Sequence, residues 1–242
     1  HTGTLDPMAR GVLVVLIGRA AKAAEFISHE RKHYVAGLRL GITTDTEDIS
    51  GNVLTRSDIP QNINIEALCR QFTGTLMQVP PMYSAIKIGG RKLVDLAREG
   101  ITVERKPRPI TVYFLSIEKS RDSTADYTLD VECSGGTYIR TLCADIGAAV
   151  GCGGCMSSLC RTENSGFTER DCVTLAQLDK MTESERIDML SDIETLFSNL
   201  PAVHLTDFFA RLAADGNSLF QKKIGCKFVD GTRVRLCDAR GF

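Results

Sequence analysis

Asp6 is the only carboxylate among the first 24 residues. It lies in His1-Thr-Gly-Thr-Leu-Asp6-Pro-Met-Ala-Arg-Gly11, directly ahead of an apolar run, residues 12–17. An Asp-Pro pair often does no more than shape a turn. A turn alone gives no reason for two threonines, two glycines and a histidine to crowd round one carboxylate, so Asp6 is a candidate for chemistry. A second acidic group, Asp45, Glu47 and Asp48, lies in the polar stretch Gly41 to Gly51 and invites a metal reading. A calcium loop needs acids at its first, third and fifth positions and a distant glutamate, and this spacing does not supply them. The Asp and Thr side chains there are expected to bond the loop's own backbone. The third candidate is a loose set of cysteines, Cys143, Cys152, Cys155 and Cys160, out of nine in the chain. Cys152-Gly-Gly-Cys155 is a single Cys-x-x-Cys. A structural zinc site usually adds a second pair or two histidines, and the four histidines (His1, His29, His33, His204) lie elsewhere in the sequence. These cysteines read as reduced, small, buried residues, with no metal centre expected.

The chain has 242 residues, room for one large domain or one with a small companion. No run approaches the roughly 20 apolar residues of a membrane span. With no secretory signal and an odd cysteine count, a cytoplasmic location is expected. The chain opens without methionine and inside a motif, so an N-terminally truncated sequence is expected. A net charge of -1 gives no global hint of a nucleic-acid partner. Local charge does. Lys87 to Arg108 holds seven bases and three acids, net 7 - 3 = +4, and Thr174 to Leu200 holds two bases and six acids, net 2 - 6 = -4. The basic segment suits phosphate contacts, although a solvated helix face has the same composition.

These groups need elements to position them. Residues 12–17 read as a buried strand, and 19–29 as a helix on it, with Ala23, Phe26 and Ile27 at helical spacing. Lys32 to Leu40 alternates and reads as a strand. Ile65, Leu68, Cys69 and Phe72 mark an amphipathic helix after a turn at Pro60. Pro80 and Pro81 exclude a regular helix over the next stretch, and 91–99 carries Leu93, Leu96 and Ala97 on one helical face. Residues 110–119 and 125–133 read as two strands joined by a polar turn. After Gly135-Gly136-Thr-Tyr138-Ile-Arg140-Thr, the residues Leu142, Cys143, Ile146 and Ala149 repeat as a helix that Gly151 ends. Beyond Phe167 the chain changes character: a short helix near Thr174, an acidic amphipathic stretch over 184–196, then glycine-separated apolar runs that suggest short strands and turns.

Four stretches resemble motifs of the TruB family of tRNA pseudouridine synthases, in family order over roughly residues 1 to 170. The opening stretch matches Gly-His-Thr-Gly-Thr-Leu-Asp-Pro-x-Ala-x-Gly-Val-Leu except for the leading glycine. Tyr34 to Gly51 matches Tyr-x5-Leu-Gly-x-x-Thr-Asp-Thr-x-Asp-x-x-Gly. Pro81 to Gly90 matches the thumb motif Pro-x-Tyr-Ser-Ala-x-Lys-x-x-Gly, and Gly136 to Thr141 matches Gly-Thr-Tyr-Ile-Arg-Thr. Val14, Leu93 and Cys160 depart from the family pattern, Cys160 standing for the first of two arginines before Thr162. The resemblance implies Asp6 as the nucleophile, Arg140 as its partner, and Tyr34 as a tyrosine that packs on the uracil and can abstract a proton. It implies Tyr138 and Leu159 as further pocket walls and His1 as an RNA contact. Lys87, Arg91, Lys92 and Arg108 are implied as thumb contacts to phosphate. Pseudouridine formation loses no atom and needs no cofactor or metal. It needs an ionised carboxylate and a pocket for an extruded base.

The resulting expectation is an α+β fold, with a mixed, largely antiparallel central sheet flanked by helices and an inserted thumb over about 62–108. The catalytic domain is expected over 1–178 and an acidic helical linker over 179–199. A partial β-rich PUA-like RNA-binding module is expected over 200–242. The implied activity is isomerisation of uridine 55 in the T-loop of tRNA, by a monomer with no obligate protein partner and no membrane. Two rivals remain: a guide-dependent synthase of the dyskerin type, against which the thumb argues, and a non-catalytic chaperone that refolds tRNA, against which an intact Asp6 argues.

Overall fold

The computed structural model describes residues 1–27, 31–121, 126–239 and 241. They form two compact units, His1–Cys172 and Val173–Phe242. The first unit contains strands β1 (Arg10–Gly11), β2 (Lys32–Leu40), β3 (Ile42–Thr44), β4 (Val53–Arg56), β5 (Gly74–Gln78), β6 (Lys87–Ile88), β7 (Arg91–Lys92), β8 (Arg108–Lys119), β9 (Tyr127–Cys133), β10 (Gly154–Asn164) and β11 (Phe167–Thr168). Its helices are α1 (Ala24–Ile27), α2 (Ile65–Gln71), α3 (Leu93–Arg98) and α4 (Ile139–Val150).

The main sheet runs β1-β10-β2-β9-β8-β5, with β11 paired to β10. Among the described residues of this sheet, β1 alone is parallel to its neighbour and the other pairings are antiparallel. This is the mixed, largely antiparallel sheet the sequence implied. Alternation decides its faces. Tyr34, Ala36, Leu38 and Leu40 on β2 point to one side with Leu129, Val131 and Cys133 of β9, and all are buried. Helices α2 and α4 cover that side with Leu68, Ile139, Leu142, Cys143 and Ile146. Gly151 closes α4 in the left-handed conformation at φ +88°, where a side chain would be strained. The opposite side carries the polar row Glu132, His33 and Glu163.

Two expectations fail here. Residues 12–17 form no strand. Val12 is buried, but Leu13, Val15 and Ile17 are exposed, Val15 at 63%. Beyond Gly11 the edge pairing with β10 ends, so only one row of this apolar run has a surface to pack on. The helix expected over 19–29 is a 3-10 turn, Gly18–Ala23, followed by the single turn α1. Its expected end, with His29, lies outside the described residues, as does the polar turn at 122–125.

In the second unit, α5 (Leu175–Lys180) and α6 (Glu183–Asp188) each start on a capping box, Thr174 with Gln177 and Thr182 with Glu185. A 3-10 turn (Ile193–Phe197), a parallel pair β12 (Ala202–His204) and β13 (Arg235–Cys237), and helix α7 (Asp207–Ala214) follow. The strands are fewer than the glycine spacing suggested, and α7 falls where turns were expected.

Candidate active site

Asp6 does not sit on a regular element. Its loop is held from beneath by β10. Arg161, 1% exposed, donates from Nε to the Val12 carbonyl (2.7 Å) and from Nη2 to the Gly3 carbonyl (3.1 Å). Asn164, fully buried, donates to Thr2 Oγ1 at 2.7 Å. Gly11 lies so close to β10 that a Cβ would stand 2.1 Å from the Arg161 carbonyl oxygen, and its φ is +105°. Glycine is required there for both reasons. Within the loop, the Ala9 N–H donates to the Asp6 carbonyl (2.8 Å), which closes the turn at Pro7.

Arg140 arrives from the first turn of α4 and is 4% exposed. Its Nη2 donates to Asp6 Oδ1 at 3.0 Å, and Nε lies 2.8 Å from Oδ2, an ion-pair contact at an angle too poor for a second hydrogen bond. The remaining donors go to backbone: Nη1 to the Thr46 carbonyl (3.0 Å) and Nη2 to the Tyr83 carbonyl (2.9 Å). Asp48 Oδ2 stands 3.7 Å from Nη1. A guanidinium fork can serve three such acceptors at fixed angles; an ammonium cannot.

The acidic loop turns out to be the seat of that fork. Asp48 Oδ1 accepts from Thr46 Oγ1 (3.0 Å), Ser50 N (2.9 Å) and Ser50 Oγ (2.5 Å). Backbone bonds between Met156 and both Glu47 and Ile49 stitch the loop to β10. Glu47 adopts φ 63°, unusual for a residue with a side chain, and accepts from Thr141 Oγ1 at 2.5 Å. The Asp and Thr side chains thus bond within the loop as expected, and the loop's carbonyl then orients Arg140.

Burial pushes the Asp6 carboxyl above the usual carboxylate range, with nearby Asp48 adding to the rise, while the charge and hydrogen bond of Arg140 oppose it. The Tyr34 hydroxyl is pushed up to about 12, chiefly by burial, against a hydrogen bond from Arg161. Roughly one molecule in ten thousand or fewer would carry the phenolate near neutral pH. Tyr34 therefore carries a protonated hydroxyl here.

Among the sequence candidates, Asp6, Arg140 and Tyr34 come together: the first two touch, and the charge of Asp6 is felt at the Tyr34 hydroxyl. Leu159 pairs with Ala36, one rung from Tyr34 on the same face, and is buried in the same cluster. Tyr138 is half-buried and caps α4 two residues before Arg140. His1 is exposed, its Nδ1 accepting from the Gly3 N–H at 3.4 Å. Lys87, Arg91 and Lys92 lie on the exposed β6–β7 hairpin and are not among the partners of Asp6 or Arg140, and Arg108 is exposed at the start of β8. Sequence reasoning missed the Thr46 and Tyr83 carbonyls, Glu47, Asn164, the anchoring role of Arg161, and Gln78, treated below. Among the described residues no three His, Cys, Asp or Glu side chains gather to hold a metal ion, and no helix is long and apolar enough to cross a membrane. A cavity of about 230 Å³ lined by Arg31, Lys32, His33, Glu132 and Glu163 opens at the polar row on the face opposite Tyr34, and its walls are of mixed charge.

Comparison with known proteins bears on the family and the fold. The pattern of the TruB family pseudouridylate synthase N-terminal domain matches residues 1–139. That of the tRNA pseudouridylate synthase B C-terminal domain matches 140–198. The join between the two patterns falls inside α4, whereas the compact units divide after Cys172. The chain is similar to tRNA pseudouridine synthase B of Alkaliphilus oremlandii, 40% identical over 91% of this chain and 73% of that protein. It is as similar to that of Francisella tularensis subsp. holarctica, 40% identical over 100% of this chain and 79% of that protein. Among solved structures, a chain of a Cbf5–Nop10–Gar1 complex superposes with a TM-score of 0.64 at 27% identity, over 90% of this chain and 59% of that one. A chain of an H/ACA RNP bound to a substrate RNA containing 2'-deoxyuridine superposes with a TM-score of 0.65 at 24% identity, over 98% of this chain and 65% of that one, which shows the shared fold.

Proposed function

We propose, for a chain that belongs to the TruB family of pseudouridylate synthases, that it isomerises uridine 55 in the T-loop of tRNA to pseudouridine. The observation that carries the proposal is the ion pair between half-buried Asp6 and buried Arg140, beside the buried Tyr34. In the reaction the N1–C1′ bond breaks, the base turns over, C5 bonds to C1′, the C5 proton leaves to solvent and N1 gains one. Asp6, ionised, attacks or stabilises the sugar carbon while the base is detached. Arg140 keeps Asp6 ionised against the cost of burial. Tyr34, Leu159 and Tyr138 receive the extruded uracil, flat against apolar groups. Tyr34 starts as a protonated donor; taking the C5 proton would require the filled site first to lower its pKa.

The RNA grip falls to the segment between Gln78 and Arg108, a thumb within the span 62–108. Lys87 and Lys92 are direct cross-strand partners on the β6–β7 hairpin. Like charges directly opposite repel, and a phosphate between them removes that repulsion. Arg91 is already paired with Glu99, so it is the weaker contact, and Arg108 marks the root. His1 contacts RNA where the base has left. The catalytic domain is taken as 1–178, 179–199 as a linker, and 200–242 as part of a PUA-like RNA-binding module. The enzyme acts as a cytoplasmic monomer without obligate partners.

The Cbf5 superposition keeps a guide-dependent reading in view, but the higher identity to tRNA pseudouridine synthase B favours direct tRNA recognition. The test is tritium release from a T-arm stem-loop labelled at uridine C5, without guide RNA, beside binding of the same RNA. Release from this chain, reduced roughly 10⁴-fold or more by Asp6→Asn, is expected. Binding and refolding of the RNA with no release would replace the enzyme by a chaperone. Release that needs added guide RNA would move the chain to the guide-dependent class. Because burial raises the Asp6 pKa, its ionised form costs the fold stability above the carboxylate range, so Asp6→Asn should melt no lower than the parent near neutral pH.

A further inference from the structure

Gln78 is the last residue of β5 and pairs with Arg108, the first of β8. Every residue from 79 to 107 therefore leaves and re-enters the sheet at this one rung. Gln78 is 4% exposed, yet its side chain serves neither strand. Its Nε2 donates to the Tyr138 carbonyl at 3.0 Å, and its Oε1 accepts from the Tyr138 N–H at 2.8 Å. One carboxamide thus spends a donor and an acceptor on the backbone of one residue, which no other side chain of that size except asparagine can do. Tyr138 is the N-cap of α4 and its own side chain makes no capping hydrogen bond; Gln78 instead fixes the backbone from which α4 starts.

Two residues on stands Arg140, whose Nη2 bonds both Asp6 and the Tyr83 carbonyl. Tyr83 belongs to the same 79–107 segment. The thumb therefore reaches the reacting centre at two points, through Gln78 to Tyr138 at its root and through the Tyr83 carbonyl to Arg140. Both contacts converge on the first turn of one helix. Among the described residues no hydrogen bond or ion pair ties Lys87, Arg91 or Lys92 to Asp6, Tyr138 or Arg140; the segment that carries them meets the centre at these two points.

We propose that Gln78 is a positioning residue that couples RNA held on the thumb to the geometry of Tyr138 and Arg140. This rests on the proposed synthase reading for its catalytic consequence, but the coupling itself is a property of binding. Coupling is reciprocal: RNA on the thumb tightens the Gln78–Tyr138 clamp, and the clamp favours the RNA-bound thumb.

The test uses the full chain and a T-arm stem-loop RNA, with Gln78→Ala and Gln78→Glu. The Glu variant keeps the shape and the acceptor but loses the donor. Amide hydrogen exchange over residues 138–142 is read with and without saturating RNA. In the parent, RNA should slow exchange there at least about 5-fold. In both variants that slowing should vanish and, by the same linkage, RNA affinity should fall by about the factor lost, roughly 5-fold. Tritium release at saturating RNA, well below each variant's Tm, should fall further, roughly 10- to 100-fold in kcat, a loss that weaker binding alone does not give. Equal slowing in parent and variants overturns the coupling, as does a lower Tm with unchanged kcat, which is what a merely structural hydrogen bond would give. A parent that binds RNA and shows the slowing but releases no tritium would sink the synthase reading and leave the coupling standing.

Discussion

Arg140 and Arg91 are the same residue in opposite surroundings. Arg140 is 4% exposed, and its fork meets the Asp6 carboxylate and two backbone carbonyls from separate loops. Arg91 has half its side chain in water and meets one carboxylate, Glu99, eight residues away on the same hairpin and helix. The first is a fixed charge in a dry place, where an electrostatic contact acts at full strength and a lost partner leaves buried polar groups unpaired. The second is a screened surface pair of the kind that contributes little to stability. In the proposed reading one chain uses arginine for chemistry by immobilising it and for binding by leaving it half in water. Substitutions at the two places should differ in kind as well as in size.

The largest effect belongs to the centre. Arg140→Lys keeps the charge and removes the fork. An ammonium cannot hold Asp6, the Thr46 carbonyl and the Tyr83 carbonyl together, so kcat should fall roughly 10²- to 10³-fold. Burial already raises the Asp6 pKa and Arg140 is what opposes it. With that opposition weakened the pKa rises further, so the acid limb of the kcat profile should move to higher pH. A full pH profile checks the direction. An unmoved limb would show that Asp48 and burial, rather than the Arg140 contact, set the charge of Asp6.

The thumb should respond to salt instead. Lys87→Ala combined with Lys92→Ala removes the opposed pair on β6 and β7. KM for the T-arm RNA should rise several-fold near 0.1 M salt, and the slope of log KM against log salt should fall by about one to two units. The acid limb should stay where it was. A shift in that limb would mean that the two regions are not separable in the way their burial suggests.

How much of this was legible beforehand follows the same division. Asp6, Arg140, Tyr34, Tyr138 and Leu159 were legible through the resemblance of their stretches to TruB-family motifs; of the five, Asp6 alone also stood out by its own surroundings. The β2 strand was read residue for residue from its alternation, since one face of it is buried. The anchors were not legible. Gln78, Thr46 and Tyr83 act on residues 60, 94 and 57 positions away, two of them through carbonyl oxygens that every residue type possesses. Arg161 stood inside a motif, but the attention fell on Cys160 beside it. Cys160 lies opposite Arg10 on β1 and donates to Glu169 at the rim, while the buried guanidinium next to it holds the Asp6 loop. The run at 12–17 failed for a related reason. Apolar pattern reports what could be buried, and whether a neighbour exists to bury it is decided by register far away in sequence.

The smallest expected effect tests the surface half of the comparison most closely. Glu99 is held below the usual carboxylate range by the hydrogen bond and charge of Arg91. Glu99→Gln removes one acid from a segment of net 7 - 3 = +4, counted over Lys87 to Arg108, and frees Arg91 from its partner. If Arg91 is a loose charge, RNA should gain: KM should fall about twofold at low salt. The difference should disappear near 0.5 M salt, where screening reaches only about 4 Å. Stability should barely move, because both partners of the pair are half in water. A rise in KM would say the opposite about the thumb. Glu99 would then be holding Arg91 in the orientation that meets phosphate, and the hairpin would be organised before binding in the way the centre is organised around Arg140.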